Sequence, residues 1–121
     1  MKKKKLNKNY LEKIPSIKET IDWSADDNAI VTLHIENKGL FNWIGQRLFK
    51  KPRISHVHLD EFGSFVWLNI DGKIDIIRLG EIVKEHFGEK AEPLYPRLAT
   101  FVSTLENCDF VITKSAEITK N

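Results

Sequence analysis

The stretch Leu59-Asp60-Glu61-Phe62-Gly63-Ser64-Phe65-Val66-Trp67-Leu68-Asn69-Ile70-Asp71-Gly72 divides this chain: strand-like patterning precedes it and helical patterning follows. Asp60 ends an apolar/polar alternation and is suited to cap a helix, its carboxylate accepting from an otherwise orphan N–H. Phe62, Phe65, Val66 and Ile70 then recur at helical spacing and form one apolar stripe. Asp71-Gly72 stops the helix, because glycine enters the left-handed region without a Cβ clash. The elements downstream are expected to pack on that stripe.

Working back from this point, Ile54-Ser55-His56-Val57-His58-Leu59 reads as a strand, the third of three. Alternation puts Ser55, Val57 and Leu59 on one face and Ile54, His56 and His58 on the other. The second strand, Ile30–Ile35, is β-branched and sets Val31, Leu33 and Ile35 against Ile30, Thr32 and His34. Ile21-Asp22-Trp23 reads as the first, and Asp26-Asp27-Asn28 between them is turn chemistry, so an antiparallel hairpin is expected. Ile14-Pro15-Ser16 marks where order begins, after a Lys/Asn-rich tail over 1–13 that is expected to fray. Between the second and third strands, residues 40–51 carry apolar Leu40, Phe41, Ile44 and Leu48 and end in basic residues. That pattern predicts a short amphipathic insert whose terminal cations complement the helix dipole. It packs on the sheet in one reading and docks on a membrane surface or partner in the other.

Downstream, Asp75 can cap a second helix running to about Phe87, with Leu79, Ile82, Val83 and Phe87 as its apolar face and Gly88 as its stop. A third helix spans about Pro93 to Leu105, with Leu94, Leu98, Phe101, Val102 and Leu105 at core spacing. Pro96 forces a choice: the helix starts there, or its first turn is distorted. Phe110-Val111-Ile112 is a short apolar end that packs as a strand or a wing, and residues 113–121 are expected to be loose. The fold class expected is therefore α+β, a three-stranded N-terminal antiparallel sheet followed by a three-helix bundle, in one domain over 14–112.

At 121 residues, the chain can bury roughly two thirds of its unfolded surface without staples. One cysteine, Cys108, excludes an internal disulfide framework and a multi-cysteine metal site, and makes a reducing cytoplasmic setting the expectation. No apolar run long enough for a signal or membrane helix follows the opening lysines. The net charge of +2 conceals a division. Residues 1–53 balance at +6, whereas residues 60–110 balance at −5.

Candidate chemistry is sparse. His56 and His58 project from one strand face and could supply two imidazoles to a metal, but no clear third ligand accompanies them. A solvated or partner-facing pair is the preferred reading, with no metal or other cofactor expected. Glu106 and Asp109 beside Cys108 discourage a thiolate, so a quiet half-buried thiol is expected there. No phosphate loop, nucleophile elbow or paired catalytic carboxylate motif occurs, and no catalytic residue is assigned. Strands followed by three helices also describe a winged-helix nucleic-acid-binding or regulatory protein. Against that alternative, the third helix and its approach carry Glu89, Lys90, Glu92, Arg97 and Glu106, a net −1 where phosphate binding needs a basic face.

The element order, together with His58-Leu59-Asp60-Glu61-Phe62-Gly63, Val66-Trp67, Ile70-Asp71-Gly72 and Leu79-Gly80-Glu81-Ile82-Val83, resembles the PqqD family over about 54–107. That resemblance implies a winged-helix-like peptide-recognition domain that is not an enzyme and makes no specific nucleic-acid contact. Family members capture the leader of a ribosomally made precursor peptide as an added strand and present it to a modifying enzyme, often of the radical S-adenosylmethionine type. Carried over, the peptide-binding residues are Ile54, Ser55, His56, Val57, His58 and Leu59 on the strand, with Leu94, Arg97, Leu98 and Phe101 on the facing helix. The basic tail and the 40–51 insert depart from short members of the family.

Membrane attachment is not expected, and the insert provides the check. If residues 40–51 pack on the sheet, the protein stays in the supernatant when anionic vesicles are sedimented. Salt-sensitive co-sedimentation would overturn that reading, because screening removes a basic contribution.

Overall fold

The computed structural model of the protein describes residues 8–37 and 53–115, and the 40–51 insert lies outside them. Their order is α1 (Lys8–Leu11), β1 (Lys13–Ile17), β2 (Asp22–Ala25), β3 (Val31–Asn37), β4 (Arg53–His58), α2 (Glu61–Asn69), α3 (Ile76–Phe87), α4 (Leu94–Asn107) and β5 (Val111–Ser115). A 3₁₀ turn, Gly88–Ala91, joins α3 to α4. The fold is α+β, with one antiparallel sheet ordered β2-β3-β4 and a second, two-stranded sheet of β1 and β5.

Asp60 caps α2, its side chain accepting from the Gly63 N–H at 2.7 Å. The helix buries Phe62, Ser64, Val66 and Trp67, and Ile70 beyond its end is buried too. Above this stripe lie Val31 and Leu33, also buried, as the β3 alternation predicts. Gly72 follows in the left-handed region, φ 77°, and donates its N–H to the Pro15 carbonyl. A Cβ there would crowd the Ser16 hydroxyl, so the turn needs glycine for both reasons.

Ser64 ties the helix to the sheet. Leu59 N–H bonds the Val31 carbonyl at 2.9 Å, but the reciprocal bond is relayed. Val31 N–H donates to the Ser64 hydroxyl at 2.8 Å, and that hydroxyl donates to the Leu59 carbonyl at 3.3 Å. A buried side chain thus stands between two backbone groups that would otherwise lose partners as β4 turns into α2.

Asp75 caps α3 through the Arg78 N–H, and Ile76, Leu79 and Val83 enter the core. The Tyr95 ring packs directly against Gly80, where any Cβ would collide with it, and its hydroxyl donates to the Ile77 carbonyl. In α4, Leu94, Leu98, Val102 and Leu105 are buried. Pro96 fits without distortion because it is the third helical residue, and the first-turn N–H groups have no intrahelical acceptor to lose.

Three boundaries differ from expectation. Residues 8–13, expected to belong to the frayed tail, join the fold: Leu11 is buried, and the Tyr10 hydroxyl donates to Glu106 at 3.0 Å. Burial and the Glu106 carboxylate push the Tyr10 phenol well above its ordinary range. The polar-looking segment after Ile112 continues as strand to Ser115, because it pairs with β1. The three-stranded sheet consequently starts at Asp22, after a helical turn and a strand, instead of opening the domain. Pro15 is tolerated in β1 because it occupies a non-hydrogen-bonded position opposite Thr113, a parity fixed by the Lys18 N–H to Phe110 O bond. Cys108 is exposed rather than half-buried.

Trp67 has no solvent exposure, so Trp67→Ala is expected to cost about 3–5 kcal/mol. Ser64→Ala, which strands Val31 N–H and Leu59 C=O, is expected to cost about 1–3 kcal/mol. Urea denaturation midpoints measure both; an unshifted midpoint for Ser64→Ala would show that water replaces the hydroxyl.

Candidate functional site

Strand β4 pairs with β3 and, among the described residues, with nothing on its other side. Its register sets His58 opposite Thr32, Val57 opposite Leu33 and His56 opposite His34. The Leu59 to Val31 bond makes that pair hydrogen-bonded in type, so Val57–Leu33 shares the type two residues on. It follows that the Val57 N–H and C=O face β3, whereas those of His56 and His58 face the open edge. The edge therefore presents its backbone groups at the two histidines.

The side chains divide just as sharply. Val57 lies on the same face as buried Leu33 yet is 41% exposed, an apolar group at an uncovered rim. Trp23, across β3 from it, is 37% exposed and meets Trp67 edge-on at 6.0 Å between ring centroids. On the opposite face, His34, His56 and His58 come together with Thr32 and Ser24. Ile54 and Ser55 belong to β4 by backbone and register; their side chains lie outside the described residues.

Two residues past the end of β4, a groove of about 470 Å³ opens, lined by Asp60, Phe62, Pro96, Arg97, Thr100 and Phe101. Phe101 reaches Gly63 at the start of α2 and meets the Phe62 ring edge-on. Arg97 lies with its guanidinium 4.0 Å from the Phe62 ring centroid and donates to the Lys90 carbonyl. It is held over an aromatic face with donors to spare, which suits a carboxylate arriving from solvent. Of the four helix residues expected at a binding surface, Arg97 and Phe101 line the groove. Leu94 and Leu98 do not: both are buried, and they hold α4 on the core. Leu59 is half-buried and packs against the same core.

A second hollow of about 700 Å³ lies between α3 and the start of α4, lined by Glu81, Lys84, Glu85, Glu92, Pro93, Leu94, Tyr95 and Pro96. Lys84 and Glu92 pair across it at 2.6 Å. The hydrogen bond from Lys84 holds the Glu92 carboxyl below its usual range and lifts the lysine in turn. Burial raises the Tyr95 phenol beside it. With its cation already paired, this hollow offers mainly acidic groups to a ligand.

Sequence reasoning missed Asp60, Phe62, Pro96 and Thr100 as groove residues, because capping and core spacing already accounted for the first two. It also left His34 out of the histidine pair as belonging to another strand, although Nδ1 of its ring lies 2.8 Å from Nδ1 of His56. Strand pairing alone supplies that proximity. Among the described residues, no cluster of three or more His, Cys, Asp or Glu side chains is arranged to hold a metal. No described helix is long and apolar enough to cross a membrane. Comparison with family models, with curated proteins and with solved structures finds no match to this chain.

Arg97→Ala removes the contact with Phe62 and is expected to lower stability by about 1 kcal/mol. A urea midpoint equal to wild type would mean that the guanidinium leaves the ring in solution.

Proposed function

We propose that this protein binds the leader segment of a ribosomally made precursor peptide by strand addition and presents it to a modifying enzyme, possessing no catalytic step of its own. The observation that carries the proposal is the outer edge of β4, where the backbones of His56 and His58 face away from β3 beside exposed Val57 and the Arg97–Phe101 groove. An extended peptide satisfies such an edge with main-chain hydrogen bonds, while flanking pockets read alternate side chains. The sheet β2-β3-β4 followed by α2, α3 and α4 supports the winged-helix-like arrangement that the PqqD resemblance implies. The setting proposed is cytoplasmic, and the enzyme served is of the radical S-adenosylmethionine type.

On this reading the peptide runs along β4 and continues toward the groove that starts at Asp60. An apolar side chain rests against Val57 or Phe101, and an acidic one reaches Arg97. Affinity comes chiefly from the backbone, selectivity from those contacts.

The edge geometry specifies a clean test. Proline at position 58 deletes an outward-facing N–H and spares the ladder to β3, whereas alanine keeps that N–H and removes only the imidazole. Fluorescence titration of labelled precursor peptides encoded beside this chain should show His58→Pro binding weakly and His58→Ala binding as wild type, with circular dichroism confirming that both fold. Equal binding by folded His58→Pro and wild type would rule out strand addition at this edge.

A further inference from the structure

The outer face of the three-stranded sheet carries a chain of polar contacts that the peptide reading does not use. Ser24 Oγ lies 3.1 Å from His34 Nε2, and His34 Nδ1 lies 2.8 Å from His56 Nδ1. Both imidazoles are directly opposite each other on β3 and β4, with Asp22 opposite His34 on β2. His56 is exposed and His34 partly so. His58 is turned elsewhere, its Nδ1 2.8 Å from the Thr32 hydroxyl. Two nitrogens therefore converge from different strands, at a cross-strand position whose separation is fixed by the sheet.

We propose that His34 and His56 bind a divalent transition-metal ion of tetragonal preference, Cu²⁺ before Ni²⁺, through their Nδ1 atoms. Imidazole nitrogens bind Cu²⁺ more strongly than Ni²⁺ or Zn²⁺ in the Irving–Williams order, and a two-histidine site with its other positions open to water accommodates the tetragonal arrangement Cu²⁺ prefers. The 2.8 Å between the two Nδ1 atoms places both rings within reach of one ion, which would replace the bond they share. The rings now meet edge-on at 82°, sharing a hydrogen bond. Rotation about the broad terminal torsion of each imidazole turns the two lone pairs toward a common point.

Proton balance is simple. Each neutral imidazole has one N–H, and the ring that now donates through Nδ1 carries its proton on Nε2 once the metal takes Nδ1. For His34 that Nε2–H has its acceptor in place: Ser24 Oγ is the outer partner that orients a metal-bound histidine. Since no third His, Cys, Asp or Glu among the described residues completes a cluster, water fills the other positions. The site is thus open to an external ligand. Its existence is independent of peptide binding.

Titration of the full chain with Cu²⁺, followed by electron paramagnetic resonance, tests the proposal. One ion should bind tightly with nitrogen coupling from two imidazoles. His34→Gln and His56→Gln should each weaken binding at least about tenfold and leave a one-imidazole spectrum. Ser24→Ala should weaken it less, and His58→Gln should leave both affinity and spectrum unchanged. Circular dichroism checks that each variant is folded. A double His34→Gln/His56→Gln protein that retains the wild-type affinity and spectrum would overturn the site. A loss in His58→Gln equal to that in His56→Gln would overturn the cross-strand pair in favour of two ligands from one strand. Displacement of Cu²⁺ by equimolar Zn²⁺ would overturn the tetragonal assignment.

Discussion

A single hydroxyl, that of Ser64, holds together the place where sheet becomes helix. It takes the Val31 N–H and gives its own hydrogen to the Leu59 carbonyl, so that β4 can separate from β3 without leaving either group dry and unpaired. The geometry of α2 follows from that insertion. Once Ser64 is placed between the strands, helical spacing carries Trp67 and Val66 beneath the sheet, where both are fully buried. The other two long helices then close over the same layer, with the Tyr95 ring filling the space that Gly80 leaves open.

The first and last described segments close around this layer by a different device. Pairing of β1 with β5 brings the beginning and end of the described domain side by side, and the Tyr10 and Thr113 hydroxyls both donate to the Glu106 carboxylate. Lys18 and Asp109 add an ion pair at 3.0 Å, though Asp109 is largely exposed and such a pair contributes little in water. The Gly72 to Pro15 bond joins this small sheet to the α2–α3 turn. Polar contacts thus connect segments that are distant in sequence, while the apolar stripe supplies most of the burial.

Strand β4 meets solvent in three chemically different ways. Its backbone edge at His56 and His58 is an array of hydrogen-bonding groups, its inner face ends in exposed Val57, and its outer face aligns imidazoles. These three surfaces follow from one register. Shifting β4 by one residue against β3 would turn the histidines inward and Val57 outward, which the buried Val31 and Leu33 positions oppose. The structural requirement of the core therefore also fixes what the strand offers to partners.

Local chemistry made much of the architecture legible. Asp60 and Asp75 as caps, Gly88 as a stop, the Asp26 turn and the helical stripes depend on neighbours within a few residues, so the amino-acid order alone determined them; α2, by contrast, ends on Ile70 as its C-cap, two residues before the Gly72 expected to stop it. Two of the four helix positions expected at a binding surface, Arg97 and Phe101, do line the groove; Leu94 and Leu98 share their spacing but face inward. Helical periodicity places such residues on a broad face and cannot separate its buried centre from its rim. The pairing of Val111–Ser115 with Lys13–Ile17, the seating of Leu11 and the meeting of His34 with His56 each join residues more than twenty positions apart, or bury a side chain against such residues. Only the tertiary structure decided these, because they depend on which strands become neighbours, and that is settled by the burial of the whole core.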